Sequence, residues 1–528
     1  MGKVSWFNLS IVLALCLGSL TYGYILAVIT NTLGQPGFYT YFNLTTDITD
    51  AEKYDYTNRI IGAINGIFSA GGVFGAVFSA WMSEVHGRKR TLSITTIITL
   101  IGGALQTGSV HVGMFLVGRF VSGFGAGISI LSPLNFMAQL LTTSGMLITI
   151  VPVFQSEIAP PESRGMLVSL NGVLIVVAYS LAAWIGVACY FSTNLALQWR
   201  FPLAVQILWP LLLLATLPIV PESPRWLLAN GNTQAAWEVI SKLHHESAEG
   251  LARAEFEQML QQIRADIAAA ENESLLDLFR KPSYRKRCIC AFLVMYAGQA
   301  SGNLVIANYS VIIYKGLGQT GVIPLILAAV YCSVSVFLNY LCALFIDRIG
   351  RVTLFVIGLT GCLVCLCVES ALLAEYIASS NQGGLKAATF FIFFFIVWYG
   401  GCIDANTYVY CAEIFPTHIR PRGMALSMVT LFVTSTPFLE AAPTAFATIG
   451  WKYYLVFIVL TAINIPITYF YLPETKGITL EDISGKFGDH VMIHLNESGG
   501  KVELVETENV DKGAGVRNGD VAGDSLSV

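Results

Sequence analysis

Long apolar stretches recur along the chain, divided by short polar turns. Residues 7–33, 60–81, 91–110 and 112–131 form four of them, and after a less regular passage come 167–191 and 201–220. A polar block follows, then 288–314, 321–346, 352–374, 387–411, 424–449 and 453–472. Each approaches the roughly 20 mostly apolar residues that a helix needs to cross the hydrocarbon layer of a bilayer. With the irregular passage assigned to the fourth stretch, the pattern predicts twelve membrane-spanning helices. The first stretch is too long for the apolar core of a signal peptide and lacks a clean small-residue cleavage site.

Composition agrees with this pattern. Of 528 residues, 55% are hydrophobic and 12% charged, against about 25% charged in a soluble domain. Mean hydropathy is +0.64, and a single soluble core stops growing near ~250–300 residues. The chain is therefore expected to be an all-α integral membrane protein with the lipid bilayer as its surroundings. A net charge of −4 argues against a nucleic-acid partner. Most of the 11 cysteines lie inside apolar runs, and Cys362-x-x-Cys365-x-Cys367 has no His or carboxylate at ligand spacing, so packing rather than metal binding is expected. No Ser-His-Asp set, metal cluster or phosphate loop stands out. Neither an enzyme nor a bound metal or cofactor is expected.

Charges in the short loops set the topology. Arg88, Lys89 and Arg90 follow span 2, Arg164 follows span 4, Arg348 and Arg351 follow span 8, and Arg420 and Arg422 follow span 10. The opposite loops carry only Lys315, Lys386 and Lys452. Positive residues mark the cytoplasmic side, so both termini are expected there, in a plasma-membrane protein. Asn43-Leu44-Thr45 then falls in the first outside loop as a candidate N-glycosylation site. Residues 221–287, with nine Lys/Arg and two runs of helical periodicity, read as a cytoplasmic helical linker. Residues 473–528 read as a cytoplasmic tail, without structure beyond about 487.

The chain also repeats itself. Gly87-Arg88 matches Gly350-Arg351, Glu157-Ile-Ala-Pro160…Arg164 matches Glu413-Ile-Phe-Pro416…Arg420, and Pro221-Glu222-Ser223 matches Pro473-Glu474-Thr475. Three motifs recur in one order with one span parity, so two related six-helix halves, 1–220 and 288–472, are expected. Repeats of this kind, related by an axis along the membrane normal, build rocking transporters.

These motifs, together with Gly118-Arg119, Pro152-x-Phe-x-Ser-Glu157, Trp199-Arg200-x-Pro202, Pro221-Glu222-Ser-Pro-Arg225-Trp226, Asp347-x-x-Gly350-Arg351 and Pro473-Glu-Thr-Lys-Gly477, resemble the sugar porter family of the major facilitator superfamily, in its fungal-type branch. The resemblance implies transport of a small hydrophilic solute by alternating access. It also implies a network at the cytoplasmic mouth that latches the halves while the cavity faces outward. The carboxylates of that network are Glu84, Glu157, Glu222, Asp347, Glu413 and Glu474. Its cations are Arg88, Arg119, Arg164, Arg225, Arg351, Arg420 and Arg422. A single surface ion pair is worth only ~0–1 kcal/mol, so the effect would come from a network formed in one state.

The fourth span departs from the family. Removing residues 128–145, 18 in number, would restore the family's spacing between Gly123-Phe-Gly-Ala-Gly127 and Pro152. An extra crossing would place Glu157 and Arg164 outside, against the arginine distribution. The 54 nucleotides behind this segment suit an unspliced intron, with permitted codons for a donor at its start and a branch point and acceptor at its end. The segment is read here as a translated intron, which leaves 510 residues in the functional chain.

Polar groups inside membrane helices are costly unless they face a cavity. On the family pattern, Gln299, Asn303, Asn308, Tyr309, Asp404 and Tyr408 are the candidate solute-binding residues. Amides both donate to and accept from hydroxyl groups. Several family positions differ: Gly298 and Gly172 replace Gln, Leu304 replaces Asn, Asn308 replaces Tyr, and Leu431-Phe432 replaces Asn-Trp. Ile25 stands where proton-coupled members carry Asp after Gly23-Tyr24. A uniporter of a sugar or a sugar-like polyol or acid, acting as a monomer, is therefore expected. The alternatives are proton symport through Asp404 or Glu440, and a nutrient sensor that binds without transporting.

Overall fold

The computed structural model describes residues 6–47, 49–124, 151, 154, 164–243, 252–253, 256–257, 259–261, 263, 277–377, 379, 381–415, 419–476, 483, 485–488, 494–495 and 504–505. The first half contains α1 (Trp6–Thr32), α2 (Pro36–Tyr41), α3 (Ala51–His86), α4 (Arg88–Thr107), α5 (Val112–Phe124), α6 (Arg164–Tyr190) and α7 (Leu195–Thr216). The linker supplies α8 (Pro224–Ala229), α9 (Thr233–Leu243) and α10 (Asp277–Arg280). The second half runs through α11 (Pro282–Ala300), α12 (Asn303–Gly316), α13 (Ile323–Ile349), α14 (Arg351–Tyr376), α15 (Gln382–Trp398), α16 (Asp404–Ile414), α17 (Arg420–Thr448) and α18 (Tyr453–Tyr471).

Among the described residues, nine helices are long and apolar enough to cross a membrane. They correspond to spans 1, 5, 6 and 7–12 of the sequence pattern. Spans 2, 3 and 4 are present as α3, α4 and the start described as α5, which carry more polar residues or fewer described residues. The chain is an all-α bundle in the expected sequence of spans. Residues 128–145 and Glu157 lie outside the described residues.

The helix contacts repeat from half to half. Helix α1 packs on α6 and α7 as α11 packs on α17 and α18, and α4 packs on α5 and α7 as α14 packs on α15 and α18. The halves meet along α3 with α17 and along α6 with α13. Exchanging the halves converts one of these seams into the other, as a two-fold axis through the bundle requires.

Local chemistry sets the helix starts. Asp50 accepts from the Lys53 N–H at 3.2 Å, Asn194 from Ala196 at 3.0 Å and Asn381 from Gly383 at 3.0 Å, each satisfying a first-turn donor without an intrahelical partner. In the linker, Leu228, Ala236, Ile240, Met259 and Ile263 cluster into a small core of their own, with Trp237 edge-on to Phe256 at 5.4 Å. The tail differs from the expectation of no structure beyond 487. His494–Leu495 pairs antiparallel with Leu504–Val505. The sequence between holds Gly499-Gly500.

Candidate functional site

Two of the spans are broken at mid-depth. Span 7 divides at Ser301 and Gly302. Gly302 has φ +82, and a Cβ there would lie 2.8 Å from the Phe457 ring, so the left-handed turn and the close approach both require glycine. Gln299 lies in the last turn of one segment and Asn303 begins the next. Span 10 carries a π-helical turn over Tyr399–Ile403, immediately before Asp404. Such turns concentrate at functional sites because they re-aim side chains within a helix.

Both breaks border one cavity between the halves, with about 1050 Å³ of space, open solvent included. Gln299, Asn303, Asn308, Asp404 and Tyr408 line it, as expected from sequence. Gln299 is buried and its Oε1 has no hydrogen-bond partner among the described residues, so an acceptor is available to a ligand donor. Asn303 Oδ1 accepts from the Tyr331 hydroxyl at 3.3 Å, and the Asn308 amide donates to the Leu304 carbonyl at 2.9 Å. Asp404 Oδ2 accepts from Asn339 Nδ2 at 3.0 Å.

Tyr309 and Glu440 are placed elsewhere. Tyr309 is fully buried away from the cavity lining. Its hydroxyl accepts from Asn65 Nδ2 at 2.9 Å and donates to the Leu439 carbonyl at 2.7 Å, which ties the second half to α3 of the first. Glu440 is exposed, with its side chain lying over Gly66 on the α3–α17 seam. Two glycines, Gly62 and Gly66, leave room for it there.

Arg119 is not at the mouth of the bundle. It is fully buried at mid-depth, donating to the carbonyls of Ile25 at 3.1 Å and Ile64 at 3.3 Å, with its guanidinium 4.2 Å from the Phe68 ring centre. The backbone carbonyl of Ile25 thus receives Arg119 at the position where an Asp side chain was looked for.

The described motif residues at the loop ends bond within each half. Glu222 accepts from the backbone N–H groups of Arg88 at 2.9 Å and Lys89 at 3.1 Å. Glu474 accepts from those of Arg351 at 2.8 Å, Val352 at 3.0 Å and Thr353 at 3.3 Å. Both carboxylates cap a helix whose preceding glycine, Gly87 or Gly350, has φ +89 or +111. A Cβ at either glycine would fall within 2.8 Å of the capping oxygen. The one ion pair described at this face, Arg351 with Glu413, is bidentate at 2.7 and 3.1 Å. It joins α14 to α16 within the second half, and Thr475 adds a hydroxyl to Glu413 at 2.7 Å. Arg225 and Arg422 form no ion pair among the described residues. Glu84, Arg164, Asp347 and Arg420 lie at the ends of α3, α6, α13 and α17, and their side chains are outside the description.

Hydrogen bonds that do join the halves run from mid-depth to the opposite face. They include Asn65 to Tyr309, Ser180 to Ser333 at 2.8 Å, Trp184 to Ser333 at 3.0 Å, and Lys315 Nζ to the Gly34 carbonyl at 3.3 Å. At that face Arg200 donates to the Tyr41 hydroxyl at 2.8 Å and the Ser109 carbonyl at 3.1 Å. This pins α2, whose Phe38 packs edge-on to Trp199. Asn43 is exposed in the following loop, at φ 53, with its Oδ1 2.8 Å from Lys53 Nζ.

Sequence reasoning missed Tyr22, Tyr179, Tyr331 and Tyr399 in the lining. Only Gly400-Gly401 beside Tyr399 hinted at a helix irregularity.

Comparison with known proteins gives one consistent result. The profile described as "Sugar (and other) transporter" matches residues 11–136 and 142–487, and is interrupted within the passage that departs from the family in span 4. The MFS-type transporter criB of Aspergillus cristatus is 30% identical over 476 residues, covering 90% of this chain and 92% of that protein. A high-affinity glucose transporter of Kluyveromyces lactis is 26% identical, covering 90% of this chain and 84% of that one. Among solved structures, the partially occluded inward-open xylose transporter XylE from E. coli superposes with a TM-score of 0.70 at 19% identity, covering 90% of this chain and all of that one. That likeness bears on the fold.

Proposed function

The chain belongs to the sugar (and other) transporter family, and from that premise we propose that it carries a small hydroxylated solute, sugar-like in size, across the membrane by alternating access. The observation that carries this reading is the cavity between the halves. It is bordered by both helix breaks and lined by Gln299, Asn303 and Asn308, in the place where transporters of this architecture hold their substrates. Cross-half hydrogen bonds close the face of Lys315 and Gly34. The arginine-rich loops support assigning the other face to the cytoplasm, with both termini there, in the plasma membrane. The state described is then inward-facing. The protein acts as a monomer and catalyses no covalent reaction.

Uniport is the favoured mode. Arg119 is held by two backbone carbonyls rather than by a carboxylate, so the position that couples protons in relatives offers no titrating partner. The solute then lowers its own barrier by binding the occluded state at least as well as either open state.

The test is counterflow of labelled sugars, polyols and sugar acids in vesicles from a transport-deficient host. The full chain and the chain lacking 128–145 should both be assayed. Transport should run downhill without alkalinising the medium. Substrate-driven proton uptake would refute uniport, and absence of counterflow for every solute in a folded protein would refute transport.

A further inference from the structure

The cavity holds one ionisable acid and no basic residue. Among its described lining residues there is no Lys, Arg or His. Asp404 lies at the start of α16, held in place by Asn339, whose amide also contacts Ser335. No other hydrogen bond to this carboxylate, and no ion pair, occurs among the described residues. An ionised carboxylate withdrawn from water without a counter-charge is strongly disfavoured. Asp404 is half-buried on the cavity wall, and a cationic ligand there would supply that counter-charge.

The surroundings say what kind of group. Tyr22, Tyr179, Tyr399 and Tyr408 line the same cavity. Aromatic faces attract cations, and desolvation strengthens that attraction. The amide N–H of Asn339 donates to the carboxylate and fixes its orientation. Meanwhile the amides that would coordinate a neutral sugar are reduced in number: Gly172, Gly298, Leu431 and Phe432 replace polar or indole side chains of the family pattern. A Cβ at Gly298 would meet nothing nearer than 3.8 Å, so that space is open to a ligand.

Building on the reading of this cavity as the transport site, we propose that it selects a solute bearing a protonated amine. Asp404 serves as the counter-ion, the four tyrosines form an aromatic cage, and Gln299 and Asn303 are left for the solute's hydroxyl groups. Asn339 is a positioning residue that aims the carboxylate into the cavity.

The experiment uses the purified full-length protein in lipid nanodiscs and compares matched pairs by calorimetry. One pair is tyramine and its neutral isostere 4-propylphenol; the other is D-glucosamine and D-glucose. The ammonium member of at least one pair should bind at least ~10-fold more tightly than its neutral partner. Asp404→Asn should abolish the preference, and Asp404→Glu should retain much of it. A melting curve checks that both variants fold. Equal or tighter binding of both neutral members overturns the proposal. So does a preference that survives Asp404→Asn, or no ammonium binding at millimolar concentration. Counterflow separates the two levels of inference. Counterflow of glucose without an ammonium preference would overturn the cation site and leave transport standing. Ammonium binding without counterflow of any labelled solute would do the reverse.

Discussion

Replacing Glu474 by alanine distinguishes a helix cap from a latch. In the structure its carboxylate accepts three N–H groups of the first turn of α14, at 2.8, 3.0 and 3.3 Å, and also the N–H groups of Thr475 and Lys476 at 3.0 and 3.2 Å. First-turn donors have no intrahelical acceptor. Loss of a side-chain cap costs ~0.5–2 kcal/mol, and loss of a negative charge from a helix N-terminus costs ~0.3–1 kcal/mol more. The residue is half-buried, so water replaces part of what is lost, and the expected total for Glu474→Ala is about 1–3 kcal/mol. Glu474→Gln keeps an acceptor oxygen but no charge, and should cost about half as much. All 11 cysteines are free and seven are buried, so a thiol-reactive dye reports unfolding directly. For a half of ~200 residues each kcal/mol moves the melting temperature by ~2–4 °C, giving a drop of roughly 2–12 °C for the alanine variant. Glu222→Ala should behave likewise in the first half, and the two losses should add because the sites share no partner. Alanine at Arg88 leaves the Glu222 bonds in place, since the backbone N–H is the donor. If the alanine and glutamine variants both melt within a degree of the parent while the conformational equilibrium shifts, the carboxylates are latch residues and the capping account is wrong.

Other expectations follow from the same geometry. Tyr309→Phe leaves Asn65 Nδ2 without its acceptor across the interface, at a cost of ~1–3 kcal/mol for a buried unpaired group. The resulting shift toward the other state should appear as faster amide exchange in α12 and in the first half of α3. Unchanged exchange would refute a cross-half tie. Gly302→Ala meets both the positive φ and the Phe457 ring, so it should cost ~1–3 kcal/mol or more and distort the span 7 break. A variant that melts like the parent would show that the break tolerates a side chain. Arg351→Lys gives up the bidentate fork with Glu413 and should lower the melting temperature of the second half, with little added loss when Glu413 is also replaced. Full additivity of the two changes would refute the pairing. Deleting 128–145 should raise expression and melting temperature, and a transcript that retains the segment at most copies would refute its reading as an intron.

Much of this protein was legible before any tertiary information. Apolar length marks most of the spans, because a bilayer tolerates no unpaired backbone and so imposes one element of one length. The repeated Gly-Arg, Glu…Pro…Arg and Pro-Glu motifs give the two halves. The positions of Gln299, Asn303, Asn308, Asp404 and Tyr408 in the cavity were also accessible, since polar residues are rare enough in such helices that each one marks a cavity, a partner or a seam.

What the tertiary structure alone decided is which of these three each polar residue marks. Tyr309 and Glu440 carry the same sequence signature as Asn308 and Asp404, but the first ties the halves and the second lies exposed on the α3–α17 seam. Glu222 and Glu474 were readable as acidic motif residues, but their partners proved to be backbone N–H groups, which leave no trace in side-chain identity. The four tyrosines around Asp404 come from three helices of both halves, and no periodicity within one helix could bring them together. Depth in the membrane is set by the order of residues along each span. Facing is set by the rotation and breaks of the helices, which depend on close contacts such as Gly302 against Phe457. Those contacts exist only when all the spans are packed.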